Sequence, residues 1–378
     1  MKNKALFKTN LIYFITIATF VAVRILSSVG IFDGLSSEVA SNVFTLIIQL
    51  GVMFVLPIGL SLLFFKKGVK NTFKDIGFKR VSSNTVVTAL LIGFLAFFLN
   101  LAVSTVFNGI ISFFGYNPTG SGSGSGYSTF LEFITGILFV AVLPGIFEEI
   151  THRGVLLRGY AKEIGYKRAI VYSALLFGLM HLNISQVFYA IVMGGLIGTV
   201  ATVSGSIFPA MLVHFMNNAI NVYLVYAASS GLPGGNFYDY VNNILQASNP
   251  LIIFMTTFVF LGLLVIGIFV LILKLYKENT VKNLQNIQEK VERTLDSQIF
   301  TDEKAPEAAE IAAVNMVLSE KLKPLLPDFS QIKSPVDLLI PASEADKYQP
   351  TLLENLFFYA SIFLGVTITI FTFIWGVV

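Results

Sequence analysis

Apolar residues run through this chain in long blocks rather than in alternation. Nine blocks, at residues 11–31, 43–65, 85–114, 130–150, 169–182, 186–203, 207–227, 251–273 and 352–376, are apolar for most of their length. A helix needs about 20 such residues to cross a bilayer. The pattern therefore predicts nine membrane helices, with the fifth and sixth short. The first block follows Lys2, Lys4 and Lys8 as a signal peptide would. It carries Arg24, however, and no small-residue cleavage site precedes the next block, so it reads as a retained first helix.

The polar positions inside these blocks are ordered. Asn100, Ser104, Asn108 and Ser112 recur every four residues and make one stripe on the third helix, expected to face the bundle interior or a wet cavity. Ala190, Gly194 and Gly198 make a small-residue row suited to close packing. Between the blocks, residues 117–128 (NPTGSGSGSGYS) predict a flexible outer loop whose regularity would also suit an engineered replacement. Residues 229–240 predict a second outer loop.

Residues 277–350 differ from the rest and hold 13 of the 22 acidic residues. Val281, Leu284, Ile287, Val291 and Leu295 recur at helical spacing, a helix starting at Pro306 follows, and Pro324, Pro327, Pro335, Pro341 and Pro350 break the remainder. The organisation read from this is a membrane bundle over 1–276, a cytoplasmic appendage over 277–350, and a final membrane helix over 351–378. The appendage is either a solvated linker or a docking module for a protein partner.

Composition fixes the class. The chain is 55% hydrophobic and 12% charged, with a mean hydropathy of +0.77, more apolar than a water-soluble domain can cover. The expected fold is an all-α polytopic integral membrane protein. The absence of cysteine excludes a disulfide framework, a thiol nucleophile and thiolate metal ligands. The net charge of +3 says less than its distribution. Lys66, Lys67, Lys70, Lys74, Lys79 and Arg80 follow the second block, Arg158, Lys162, Lys167 and Arg168 the fourth, and Lys274 and Lys277 the eighth. The positive-inside rule then places the N-terminus in the cytoplasm and the C-terminus outside. These segments suit anionic membrane lipid, not nucleic acid.

Few ionisable groups remain for chemistry. Glu132 and Glu354 lie near the ends of blocks, where they are expected to reach water. Glu148 and Glu149 are harder to place, because a carboxylate near the bilayer centre costs roughly 2.5–3.5 kcal/mol. On a helix Glu149 and Arg153 share a face, as do Glu148 and His152, while adjacent glutamates point apart. One glutamate can be paired while the other faces a cavity; the competing reading is that both cap a helix end at the interface. His181 and His214 sit in apolar surroundings, and His214 and Asn218 share a face. A glutamate and a histidine can activate a water, and an imidazole and an amide can donate to an oxyanion.

Three motifs stand in order on consecutive membrane segments: EEITHR as Glu-Glu-x-x-x-Arg, FGLMH as Phe-x-x-x-His, and HFMNN as His-x-x-x-Asn. In this the chain resembles the CPBP intramembrane proteases, also called the CAAX-prenyl-protease or Abi family. The resemblance spans roughly residues 40–227 and implies an eight-helix bundle, to which this chain adds a C-terminal membrane helix. It implies that Glu148 and His181 activate the attacking water, that His214 and Asn218 stabilise the oxyanion, and that Glu149 and Arg153 support the site. His152 falls at a variable position and receives no role. It implies catalysis without a cofactor; a zinc site built from one glutamate and two histidines is the less favoured rival.

The expected function is an intramembrane endopeptidase acting on a membrane-embedded or lipidated protein or peptide. The alternative is a non-catalytic scaffold of the same fold that regulates a partner such as a cell-envelope enzyme. A transporter predicts repeat symmetry, which the sequence does not show. Abundant Lys, Asn and Ile with a single Trp point to the cell membrane of a low-GC bacterium.

Overall fold

The computed structural model describes residues 4–116, 127–247, 249–299 and 344–377. Its helices are α1 Lys4–Ser28, α2 Ser37–Phe65, α3 Val69–Ile76, α4 Ser83–Ser112, α5 Phe130–Ile164, α6 Tyr166–Met180, α7 Ile184–Ser204, α8 Ile207–Ser230, α9 Phe237–Ala247, α10 Pro250–Ile299 and α11 Leu356–Val377. No strand occurs among the described residues. Among the described residues seven helices, α1, α2, α4, α5, α7, α10 and α11, are long and apolar enough to cross a membrane. The protein is an all-α polytopic integral membrane protein, as the apolar blocks predicted.

A helix stands at each of the nine expected places, and the departures have physical causes. The fifth, α6, has 15 residues, about 22 Å at 1.5 Å per residue, which is less than the ~30 Å hydrocarbon layer. The seventh, α8, carries Asn217, Asn218 and Asn221 and is not among the seven apolar crossings. The fourth does not stop at residue 150 but runs as α5 to Ile164, 35 residues in all. Glu148 and Glu149 therefore lie mid-helix, which removes the reading of them as an end cap. Helix α10 continues without a break across residue 276 to Ile299. The predicted helix at Pro306, the proline-rich stretch as far as 343 and the Gly/Ser tract 117–126 lie outside the described residues.

Local signals set the ends. Ser82 Oγ accepts from the Thr85 amide at 3.1 Å at the start of α4. Thr129 and Glu132 form a reciprocal capping box at the start of α5. The turn from α5 to α6 needs Gly165, whose φ of 80° is a conformation that a side chain disfavours.

Helices α4, α7 and α8 pack on one another, with α5 against α8, α6 against α7, and α10 against α4 and α7. Glycines bring the backbones close. A Cβ on Gly93 of α4 would lie 3.0 Å from the Val213 carbonyl of α8, and one on Gly178 of α6 would lie 2.7 Å from the Val187 carbonyl of α7. The predicted small-residue row is a packing row: a Cβ on Gly194 would lie 2.9 Å from Ala174 Cα, and one on Gly198 would lie 3.2 Å from Leu157 Cδ1.

The last helix belongs to this bundle. Helix α11 packs on α1, α6 and α7, and Thr372 Oγ1 accepts from the Ile184 amide at 3.3 Å at the α6–α7 turn. The segment that leads into it is clasped by Arg168, whose guanidinium donates to the carbonyls of Ala345, Asp346 and Tyr348. Glu354 corrects the sequence reading: it is fully buried and accepts from the Tyr348 hydroxyl at 2.7 Å and the Thr351 amide at 2.9 Å. Its main-chain carbonyl accepts from Asn10 at 2.8 Å. Sequence position suggested a helix end open to water, but docking against α1 closes it.

Candidate active site

The site is assembled on α5 by departures from α-helical geometry. Helix α5 is π-helical over Ile137–Val142 and again over Ile150–Leu157, and α2 is π-helical over Ile47–Val55. Such stretches are uncommon and are enriched at functional sites. Two prolines add to the effect. Pro144 and Pro57 have no N–H to give to the preceding turn. In each of those turns a carbonyl is met by a side chain from a neighbouring helix. Asn218 Nδ2 donates to Val140 at 2.9 Å, and Thr151 Oγ1 donates to Met53.

Glu148 and Glu149 point to different surroundings, as adjacent helical residues should. Glu149 is fully buried. One of its carboxylate oxygens, Oε1, accepts both from Arg153 Nη1 at 2.9 Å and from His214 Nδ1 at 2.8 Å. Arg153, also fully buried, donates through Nη2 to the Gly194 carbonyl at 3.0 Å and lies 4.5 Å from the centre of the Phe177 ring. Glu148 is 9% exposed and accepts from Gln49 Nε2 at 2.9 Å. Its main-chain carbonyl contacts His152 Nδ1 at 2.9 Å.

Glu148, His181, His214 and Asn218 all line one cavity of about 450 Å³. His181 ends the short helix α6, and the next residue, Leu182, takes a left-handed conformation with φ of 53°, a strained choice for a branched side chain. No hydrogen bond joins Glu148 to His181 among the described residues. Phe177 meets the rings of His152, His181 and His214 edge-on, with centroids 5.0, 5.2 and 5.8 Å away. The predicted polar stripe divides. Asn100 and Ser104 line the cavity, whereas Ser112 lies exposed and bonds its own helix at Gly109.

Sequence reasoning missed three participants. Gln49 orients Glu148, and a lone glutamine in an apolar block was the signal available for it. Asn217 links Asn100, at 3.3 Å, to Asn218, at 2.8 Å. Phe177, the first residue of the Phe-x-x-x-His motif, was legible: it packs on His181 one helical turn away, and also meets His152 and His214. Tyr238 of α9 closes one side of the cavity and bonds Asn221 at 2.6 Å. Burial pushes the Tyr238 phenol up to about 12, so it remains a donor near neutral pH. His152 is fully buried, and its Nε2 has no hydrogen-bond partner among the described residues. Among those residues, no three His, Cys, Asp or Glu side chains are grouped to hold a metal ion.

The fold and site define a class: a polytopic membrane protein whose helices enclose a carboxylate, two imidazoles and an amide around one cavity. Residues 130–220 match a family model described as Rce1-like, type II CAAX prenyl endopeptidase. This match, over about a quarter of the chain, supports the resemblance to the CPBP/CAAX protease family carried by the three motifs. No curated protein and no solved structure matches the chain.

Proposed function

We propose that the protein is an intramembrane endopeptidase that hydrolyses a peptide bond of a membrane-embedded or lipidated protein or peptide. The observation that carries this reading is the convergence of Glu148, His181, His214 and Asn218 on one cavity. In the proposed reaction a water lies between Glu148 and His181. Glu148 takes its proton as the oxygen attacks the scissile carbonyl, and the same proton passes through His181 to the departing amine, which returns both groups to their starting state. Gln49, bonded to one oxygen of Glu148, leaves the other free for the water. Asn218 and His214 donate to the oxyanion, an effect worth ~3–4 kcal/mol per donor in a related chemistry. With Nδ1 bonded to a carboxylate, His214 donates from Nε2 as imidazolium, and Glu149 supplies its counter-charge. Arg153 holds Glu149 in place. No step requires a metal ion or cofactor.

The basic clusters support an N-terminus in the cytoplasm of a bacterial cell and a C-terminus outside. They also support membrane lipid, not nucleic acid, as the surrounding partner. Residues 277–350 form a cytoplasmic appendage between the bundle, 1–276, and the last membrane helix, 351–378, and are available to a protein partner.

The test compares new peptide termini in membranes of cells that make the wild type or Glu148→Gln at equal levels. Termini near membrane segments or lipidated ends that vanish in the variant support the reading and name substrates. Identical termini, with the same partner co-purifying with both forms, would refute hydrolysis and favour a scaffold.

A further inference from the structure

A second cavity lies on the far side of the wall made by α5 and α8. The two helices turn different faces to the two cavities: Pro144, Glu148, His214 and Asn218 to the candidate active site, and Gly145, Ile150, Met211 and Phe215 to the other. This second space, about 1000 Å³, is at the upper end of ordinary ligand sites. Its floor is apolar, and its rim is the short helix α3.

Helix α3 is amphipathic. Phe73 and Ile76 turn into the groove, while Lys70, Asn71 and Lys74 stand at its edge. Lys70 and Lys74 are four apart on one helix, an arrangement that is unfavourable for like charges. Neither makes an ion pair among the described residues. The contrast with nearby Lys67 and Lys162, which share Asp75 at 2.5 and 3.2 Å, is informative: carboxylate pairing is present at this end of the bundle and bypasses these two cations. Two unpaired lysines above an apolar trough are complementary to a molecule with an anionic head and a hydrocarbon tail. The α5–α8 wall also separates the trough from the catalytic groups.

We infer that this groove binds one anionic phospholipid, with an acyl chain along Ile150, Phe208 and Met211 and the headgroup phosphate between Lys70 and Lys74. A basic pair at a membrane surface favours an anionic headgroup by about fivefold per lysine. The site stands apart from the hydrolytic reading and survives or fails without it.

The experiment takes the full chain, purified in a neutral detergent, and measures lipid retention by native mass spectrometry. The probes are phosphatidylglycerol and phosphatidylcholine with identical acyl chains, and inorganic phosphate as competitor. Retention of phosphatidylglycerol should exceed that of phosphatidylcholine by at least about fivefold. Lys70→Gln/Lys74→Gln should bring the ratio near one without changing phosphatidylcholine retention, and Ile146→Trp, which fills the trough, should lower both. Equal retention of the two lipids by the wild type, or a preference that survives the double lysine change, overturns the assignment. So does displacement of the lipid by equimolar inorganic phosphate, which would reduce the site to one for a small anion.

Discussion

Replacing Arg153 by Met tests whether the buried ion pair stabilises the fold or serves the site. Arg153 and Glu149 are both fully buried. The pair is only partly satisfied: Arg153 Nε and Glu149 Oε2 make no hydrogen bond among the described residues. Arg153→Met removes the 2.9 Å bond to Glu149, the 3.0 Å bond to Gly194 and the contact with Phe177. It leaves a carboxylate buried beside His214. Breaking such a pair on one side costs about 3–5 kcal/mol, whereas replacing both charges is often neutral. The companion Glu149→Gln/Arg153→Met keeps an acceptor for His214 and removes the stranded charge, so it should be more stable than Arg153→Met alone by at least ~2 kcal/mol. Stability is read from reversible unfolding in mixed micelles, followed by far-ultraviolet circular dichroism. On the proposed mechanism, the double variant, though folded, should hydrolyse about 10²-fold more slowly, because His214 has lost the counter-charge its imidazolium needs. A double variant no more stable than the single, or one with full activity, would refute the assignment of the pair to the site.

Three further changes probe the scaffold. Gly178→Ala sets a Cβ 2.7 Å from a main-chain oxygen of α7, which cannot rotate away; a loss of about 1–3 kcal/mol is expected in the same unfolding assay, and no loss would mean the helices are not in close contact. Thr151→Val keeps the shape but removes the hydroxyl that donates to the Met53 carbonyl; it should cost about 1–3 kcal/mol, and Thr151→Ser should recover most of it. Burial opposes ionisation of Asp75, but hydrogen bonds from Lys67 and Lys162 outweigh it and hold the carboxyl below its ordinary value. A depressed folded pKa stabilises above the unfolded value, about 3.9, and the benefit is lost as pH falls through the folded one. The difference in thermal midpoint between wild type and Asp75→Asn should therefore be flat above about pH 5 and close below about pH 4; a gap that widens on acidification would contradict the pairing.

The legible part of the fold was whatever depends on bulk transfer energy. Each of the nine apolar blocks coincides with a helix among the described residues, seven of them long and apolar enough to cross a membrane, because burying a backbone in hydrocarbon leaves few alternatives. Helix ends were less legible. The end expected at residue 150 failed because Arg153 is neutralised by Glu149 and the helix can continue through it. Glu354 failed similarly, since Tyr348, Thr351 and α1 close over a carboxylate that local sequence leaves open. In the site, the different surroundings of Glu148 and Glu149 followed from their angular separation: Glu149 pairs with Arg153 and Glu148 lines the cavity. Gln49 and Asn217 were not legible because their partners lie on other helices, 99 residues away for Gln49 and 117 for Asn217.

The prolines connect fold to site in a way that local pattern does not reveal. A proline in a membrane helix frees a carbonyl that lipid cannot satisfy, so a neighbouring side chain must supply the hydrogen bond. Pro144 does this four residues before Glu148, and the donor recruited is Asn218. That bond occupies one of the two amide hydrogens of Asn218, while the Asn217 amide donates to its oxygen at 2.8 Å. The side chain is thereby fixed at both ends, with one N–H left over beside the cavity. A donor already held in place costs no reorganisation when charge develops on a substrate oxygen. The irregular backbone of α5 thus fixes both its own carboxylate and the amide that faces it from α8.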